Sequence, residues 1–293
     1  MSGILGPSGC GKSTLLDVLR GKRPLQGRRR RAQMEGLARP EWSGRGHVSY
    51  NGVPVSGLPL HRLIGYVPQD DLLHPELTVE ENLYFSAALT LPAGAPRATR
   101  AAAVSDALSL LSLGHAARAV VGGPERRGVS GGERRRVNIG VEIVGRPSVL
   151  YLDEPTSGLD ASASISVAWG LLSLSRLGMT VVAVLHQPRY ALFRLFQQVL
   201  LLTPSREPAF AGHPALAAPY FETLGFRRLP AENPADWLID IVAGRAPREL
   251  GGRRGGGGGG SGGDEGGEGE ASGHLAALED SLDLPELWRG SGA

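Results

Sequence analysis

The chain contains a single cysteine, Cys10, which excludes an internal disulfide framework and fits a reducing cytosol. Aromatic residues make up only 5% of it, so a core has to be built mostly from Leu, Val and Ala. With 41% hydrophobic residues over 293 positions, one large domain or two small ones are possible. No apolar run approaches the roughly 18 to 20 residues needed to cross a bilayer. The longest runs, Thr180 to Leu185 and Val199 to Leu202, have the length of buried parallel strands. The first residues carry neither a basic n-region nor an apolar h-region, so no signal peptide is expected. An excess of one charge is missing too: a net charge of +2 gives no strong pull toward nucleic acid or a membrane surface. By itself the chain reads as a soluble cytosolic polypeptide with no nucleic-acid partner.

Strand and helix signals alternate along what is present. Met1 to Leu5 reads as the end of a buried strand, turned by a glycine loop into a helix over Lys12 to Leu19. Gly21 to Gly46, with Arg28 to Arg31 and Pro40, reads as a surface insertion before a strand at His47 to Asn51. The arginine run is read as a solvated charge run. Leu63 to Val67 is a further strand. Val79 to Ala88 and Arg97 to Leu113 have helical spacing, separated by the breakers Pro92 to Pro96. Asp70 to about Gly145 is therefore expected to form a helical subdomain. Strands return at Val149 to Leu152, Thr180 to Leu185 and Val199 to Leu202, with a helix at Ser162 to Leu177. That alternation predicts an α/β fold with a mostly parallel sheet. A short strand at Pro208 to Gly212 and a helix at Pro214 to Leu224 follow. The folded domain is expected over residues 1–250. Gly251 to Gly273 is glycine-rich and cannot bury a core, reading as a disordered linker. The tail beyond it holds a possible short helix at His274 to Trp288.

Five segments carry chemistry. Gly6, Pro7, Ser8, Gly9, Cys10, Gly11, Lys12, Ser13 and Thr14 match the phosphate-loop pattern without a gap. Its glycines let backbone N–H groups point into one concavity at a helix N-terminus. Lys12 would place its charge on the β- and γ-phosphates of ATP, and the Ser13 hydroxyl would ligate Mg²⁺. The apolar strand Val149 to Leu152 delivers Asp153 at its C-terminal end, where ligands sit on open α/β sheets. Asp153 is expected to hold Mg²⁺. Glu154, pointing the other way by strand alternation, is expected to polarise the attacking water as general base. The same segment runs on to Asp160, expected among the nucleotide-binding positions.

Ser130, Gly131 and Gly132, followed by Glu133 and the basic run Arg134 to Arg136, form a second helix start suited to an anion. Two such starts in one chain make sense if two copies face each other, the Ser130 loop of one closing over the γ-phosphate held by Lys12 of the other. Gln69 follows a strand and precedes the helical subdomain. It is expected to contact Mg²⁺ or the attacking water while sitting at a hinge. His186 ends a strand aimed at the same sheet edge as Asp153 and is expected to donate to the γ-phosphate. The remaining histidines lack metal-ligand spacing, so no metal other than Mg²⁺ is expected. Cys10 is read as a passive spacer, with a weaker reading in which its modification blocks ATP.

These motifs resemble the P-loop nucleotide-binding domain of ATP-binding cassette transporters over most of Met1 to Gly244. Gly65 to Asp71, Leu77 to Leu83, Glu125 to Arg134, His186 to Pro188 and Asn233 to Asp240 resemble the G (white/brown-complex) subfamily of half-transporters, plant and algal members especially. The resemblance implies a cytoplasmic domain at a membrane that dimerises on ATP, with an identical or different cassette. It further implies that hydrolysis drives export of lipids or other hydrophobic compounds through a membrane domain not present in this chain. It also implies antiparallel strands and an adenine-stacking aromatic upstream of the phosphate loop, so the N-terminal antiparallel strands are expected to be truncated here. The chain is then either a piece of a half-transporter or a free-standing cassette. A soluble cassette ATPase outside transport and an inactive truncated fragment are the competing readings.

Overall fold

The computed structural model describes residues 1–23, 46–55, 58–123, 126–229 and 232–247. The Arg28 to Arg31 run, the rest of that insertion up to Arg45, the glycine-rich stretch and the tail helix expected at His274 to Trp288 lie outside the described residues. The chain divides into two compact units: Met1–Ile4 with Gly11–His186, and Leu5–Cys10 with Gln187 onward.

In the first unit the strands β1 (Ser2–Leu5), β4 (Ile64–Val67), β5 (Val149–Asp153) and β6 (Thr180–Val184) run in the order β4-β5-β6-β1. All three pairings are parallel. Ile64 lies opposite Val149, Val149 opposite Thr180, and Ser2 opposite Val182. Every residue of β5 is buried, which is why its sequence is a continuous apolar run rather than an alternating one. Helix α1 (Lys12–Leu19) follows the glycine loop. A small antiparallel hairpin, β2 (Ser49–Tyr50) with β3 (Val53–Pro54), replaces the longer strand expected at His47 to Asn51. It turns on Asn51 and Gly52, both at positive φ, and a left-handed turn at Asn51 cuts an extended run short.

A single helical turn, α2 (Leu60–Leu63), leads into β4. Helices α3 (Val79–Thr90), α4 (Arg97–Leu110) and α5 (Gly131–Ile143) fill the stretch read as helical. Helix α4 stops three residues before the expected Leu113 because Ser112 takes φ +53°. Helix α6 (Ala161–Arg176) connects β5 to β6 as a parallel crossover.

The second unit holds the single turn α7 (Tyr190–Phe193), an antiparallel pair β7 (Gln198–Leu202) and β8 (Pro208–Gly212), and helices α8 (Pro214–Thr223) and α9 (Pro234–Val242). Helix α9 starts at a proline, behind an Asn233 cap that accepts from the Ala235 amide at 3.2 Å. It packs on α7, α8 and β7, and its Trp237 is among the largest fully buried side chains.

Candidate functional site

The first unit brings four of the expected side chains into two hydrogen-bonded pairs at the C-terminal ends of β4 and β5. The Ser13 hydroxyl, on the first turn of α1, donates to Asp153 Oδ1 at 3.1 Å. Asp153 is buried, as is Lys12, one residue before Ser13. A hydroxyl oxygen beside a carboxylate oxygen is the sparse all-oxygen set that Mg²⁺ accepts when phosphates complete its shell. The residues present therefore fit Mg²⁺. Among the described residues no group of three or more His, Cys, Asp or Glu side chains converges.

The second pair is Gln69 and Glu154. Gln69 Nε2 donates to Glu154 Oε2 at 3.1 Å, so the second residue after β4 touches the first residue after β5. Strand β5 ends at Asp153, and Glu154 stands at φ +47° with its amide donating to the Val184 carbonyl at 3.2 Å. Asp153 and Glu154 thus reach different partners, Ser13 and Gln69, with a left-handed backbone at Glu154 just past the end of β5. A non-glycine residue in that region costs on the order of 1 kcal/mol, and such residues concentrate at functional sites. His186 is exposed and lies two residues beyond the last residue of β6.

The phosphate loop leads into α1 with Gly11 as N-cap at φ +93°. Gly6 stands at φ +153°, and a Cβ there would come within 2.6 Å of the Leu202 carbonyl oxygen and 2.8 Å of Cys10 Sγ. Cys10 itself is 1% exposed. Reactive cysteines are partly accessible, so this placement favours the spacer reading over a modification site.

Ser130 caps α5 in a reciprocal box. Its hydroxyl accepts from the Glu133 amide at 3.3 Å, while Glu133 Oε2 accepts from the Ser130 amide and hydroxyl at 2.8 Å each. His115 Nε2 donates to the other Glu133 oxygen at 2.7 Å. These donors, the Ser130 hydroxyl first, hold the Glu133 carboxyl down at about 2 from its ordinary 4.5. A depressed carboxyl stabilises the fold above its unfolded value and loses that contribution as pH falls from about 4.5 toward 2. Ser130→Ala is expected to move the Glu133 titration back up toward 4.5, read by carboxyl NMR. It should also cost about 1 kcal/mol of stability at neutral pH through the lost cap. Gly131 is exposed, whereas Gly132 is buried and a Cβ there would lie 2.7 Å from Ala163 Cβ. Asp160, exposed, caps α6 by accepting from the Ala163 amide at 2.8 Å.

The arginines after the glycines are not all displayed to an anion, as a basic helix start would suggest. Arg136 is 9% exposed and donates to the Ser166 hydroxyl. Arg135 is 5% exposed and turned inward. Its Nε donates to the Pro155 carbonyl at 3.2 Å, and Nη2 to the carbonyls of Asp153 at 3.0 Å and Glu154 at 3.3 Å. Its Nη1 donates to the Gln69 carbonyl at 2.9 Å and Asp71 Oδ1 at 3.0 Å. One turn on, Asn138 donates to the same Asp71 oxygen at 3.1 Å and accepts from the Leu72 amide at 3.4 Å. The available signal in the sequence is periodicity: three successive helical arginines, 100° apart, cannot share one face.

A family model described as ABC transporter matches residues 1–157. A second, described as ABC-2 type transporter, matches residues 186–251. Among the described residues no helix is long and apolar enough to cross a membrane. ABC transporter G family member 14 of Arabidopsis thaliana is 41% identical over 83% of this chain and 35% of its own length. Member 28 of the same organism is 40% identical over 83% of this chain and 21% of its own length. The broad substrate specificity ATP-binding cassette transporter ABCG2 of Mus musculus is 40% identical over 83% and 34%. The chain thus spans about a fifth to a third of the length of these relatives.

Proposed function

This chain belongs to the ATP-binding cassette transporters, with G-family proteins as its relatives, and from that premise we propose that it is the ATP-hydrolysing motor of a G-type exporter. The observation that carries the reading is the Gln69–Glu154 hydrogen bond at 3.1 Å beside the Ser13–Asp153 bond at 3.1 Å. Both sit at the ends of neighbouring parallel strands, where α/β sheets bind ligands.

In this reading the phosphate-loop amides, with Thr14 at their end, and the Lys12 ammonium bind the phosphates of ATP. Ser13 and Asp153 would hold Mg²⁺, which neutralises phosphate charge. Glu154 accepts a proton from water as the water oxygen bonds to the γ-phosphorus. The bond to the bridging oxygen breaks, and ADP leaves with that oxygen. Gln69, held on Glu154, orients the same water. His186, exposed at the end of β6, donates to the γ-phosphate oxygens. Ser130, Gly131 and Gly132 act on the nucleotide of a second cassette, whether an identical or a different chain, and Asp160 is assigned to nucleotide binding as well. In the same reading the membrane domain and the lipid or other hydrophobic cargo belong to the rest of such a transporter, with this domain on its cytoplasmic face.

Three experiments test this together. Phosphate release from MgATP should be measurable for the chain, and ATP with chelator should shift its sedimentation from one copy to two. Mixing a Lys12→Met chain with a Gly131→Asp chain should restore turnover that neither has separately, because each supplies the half that the other lacks. Absent nucleotide binding and absent pairing would overturn the motor reading. Full activity of each variant by itself would remove the composite site.

A further inference from the structure

We propose that Arg135 is a positioning residue that holds Gln69 and Glu154 in register with each other and ties both to the helix opened by Ser130. The inference rests on the hydrolytic reading above. A guanidinium has five N–H donors in a fixed plane and no acceptor. All five of Arg135's are used: on the carbonyls of Gln69, Asp153, Glu154 and Pro155, and on Asp71. The same plane therefore grips the backbone of the two residues whose side chains meet at 3.1 Å. Asp71 neutralises the buried cation, and Asn138 fixes Asp71 from the next turn of the same helix.

The grip is placed where the backbone needs it. Glu154 stands left-handed at φ +47°, a conformation that persists only when its surroundings over-determine it. Arg135 takes three consecutive carbonyls there, those of Asp153, Glu154 and Pro155, while the Glu154 amide is fixed separately on Val184. Arg135 lies on α5, five residues after Ser130. A displacement of that helix when Ser130 to Gly132 engage a partner's nucleotide would thus reach Gln69 and Glu154 of the same chain through one side chain. This gives the cassette an internal link between the site it closes and the site it owns.

The test uses the full chain with Arg135→Lys and Arg135→Met. Lysine keeps the charge but has three donors on a point-like head, so it cannot serve both segments. Each variant is expected to lose at least about tenfold in kcat for MgATP, a misplacement effect on oriented chemistry. Affinity for a fluorescent ATP analogue should stay close to wild type, while the thermal midpoint should fall in the methionine variant, whose buried carbonyls and Asp71 lose their donor. Without nucleotide, amide hydrogen exchange should rise together at Leu72 and at Glu154 to Ser157 in the methionine variant, with β6 unchanged. Exchange needs no turnover, so it reads the grip even if the chain proves not to hydrolyse ATP. Unchanged exchange in either segment overturns the proposal. So does a kcat loss matched by an equal loss of affinity, which marks a merely structural residue. Normal kcat in both variants overturns it while leaving the motor reading intact.

Discussion

Replacing Glu154 by glutamine is expected to lower MgATP turnover by about 10²- to 10⁴-fold, the usual worth of a positioned general base. ATP binding and ATP-dependent pairing should be kept. On the proposed hydrolytic reading, the substitution removes the proton acceptor and little else. A glutamine carbonyl oxygen can still accept from Gln69 Nε2, which now sits 3.1 Å from Glu154 Oε2. The backbone bonds from Arg135 and to Val184 do not involve the side chain. The loss therefore belongs in kcat, with the ATP dissociation constant unchanged, and a stopped-assay titration with labelled ATP separates the two. A variant that turns over at the wild-type rate would remove Glu154 from the chemistry and leave Asp153 as the candidate.

The second large effect is on stability. Trp237→Ala should cost about 3 to 5 kcal/mol, the range for emptying a buried aromatic site, out of a typical total of roughly 5 to 15. Trp237 is 2% exposed on α9, which packs on β7, α7 and α8. Its indole nitrogen finds no hydrogen-bond partner among the described residues, so its contribution is packing. Trp237→Phe should consequently cost far less than the alanine variant, because it removes an unpaired N–H along with part of the ring. Urea unfolding monitored by circular dichroism gives both midpoints. Equal losses for the two would show that the indole N–H, through some partner, matters more than the ring.

Most of the frame was legible because the strongest signals are local and redundant. Val149 to Leu152 is a continuous apolar run because β5 is buried along its whole length, and no helix of that length between turn residues fits as well. Lys12 to Leu19 starts after a glycine loop and forms the helix expected of it. What escaped depends on contacts distant in sequence. Asn233 to Asp240 resembles a family segment, but its helicity in α9 is signalled only by Asn233 and Pro234, a cap and a first-turn residue. Arg135 looked like part of a charged run because its partners lie 18 to 66 residues away. Periodicity could say that the three arginines do not share one face, and only the fold could say which turns inward and toward what. The same limit applies within the candidate site: the residue types were readable, while the pairing of Gln69 with Glu154 came from two strands laid side by side.

The left-handed turn at Glu154 sets fitness against foldedness at one position. Glycine accepts φ +47° without the penalty that any side chain meets there. A library of this chain screened only for resistance to heat or protease should therefore enrich glycine at 154, and those survivors should be catalytically silent. On the proposed hydrolytic reading, a glutamate at that position carries its conformational cost for the sake of turnover.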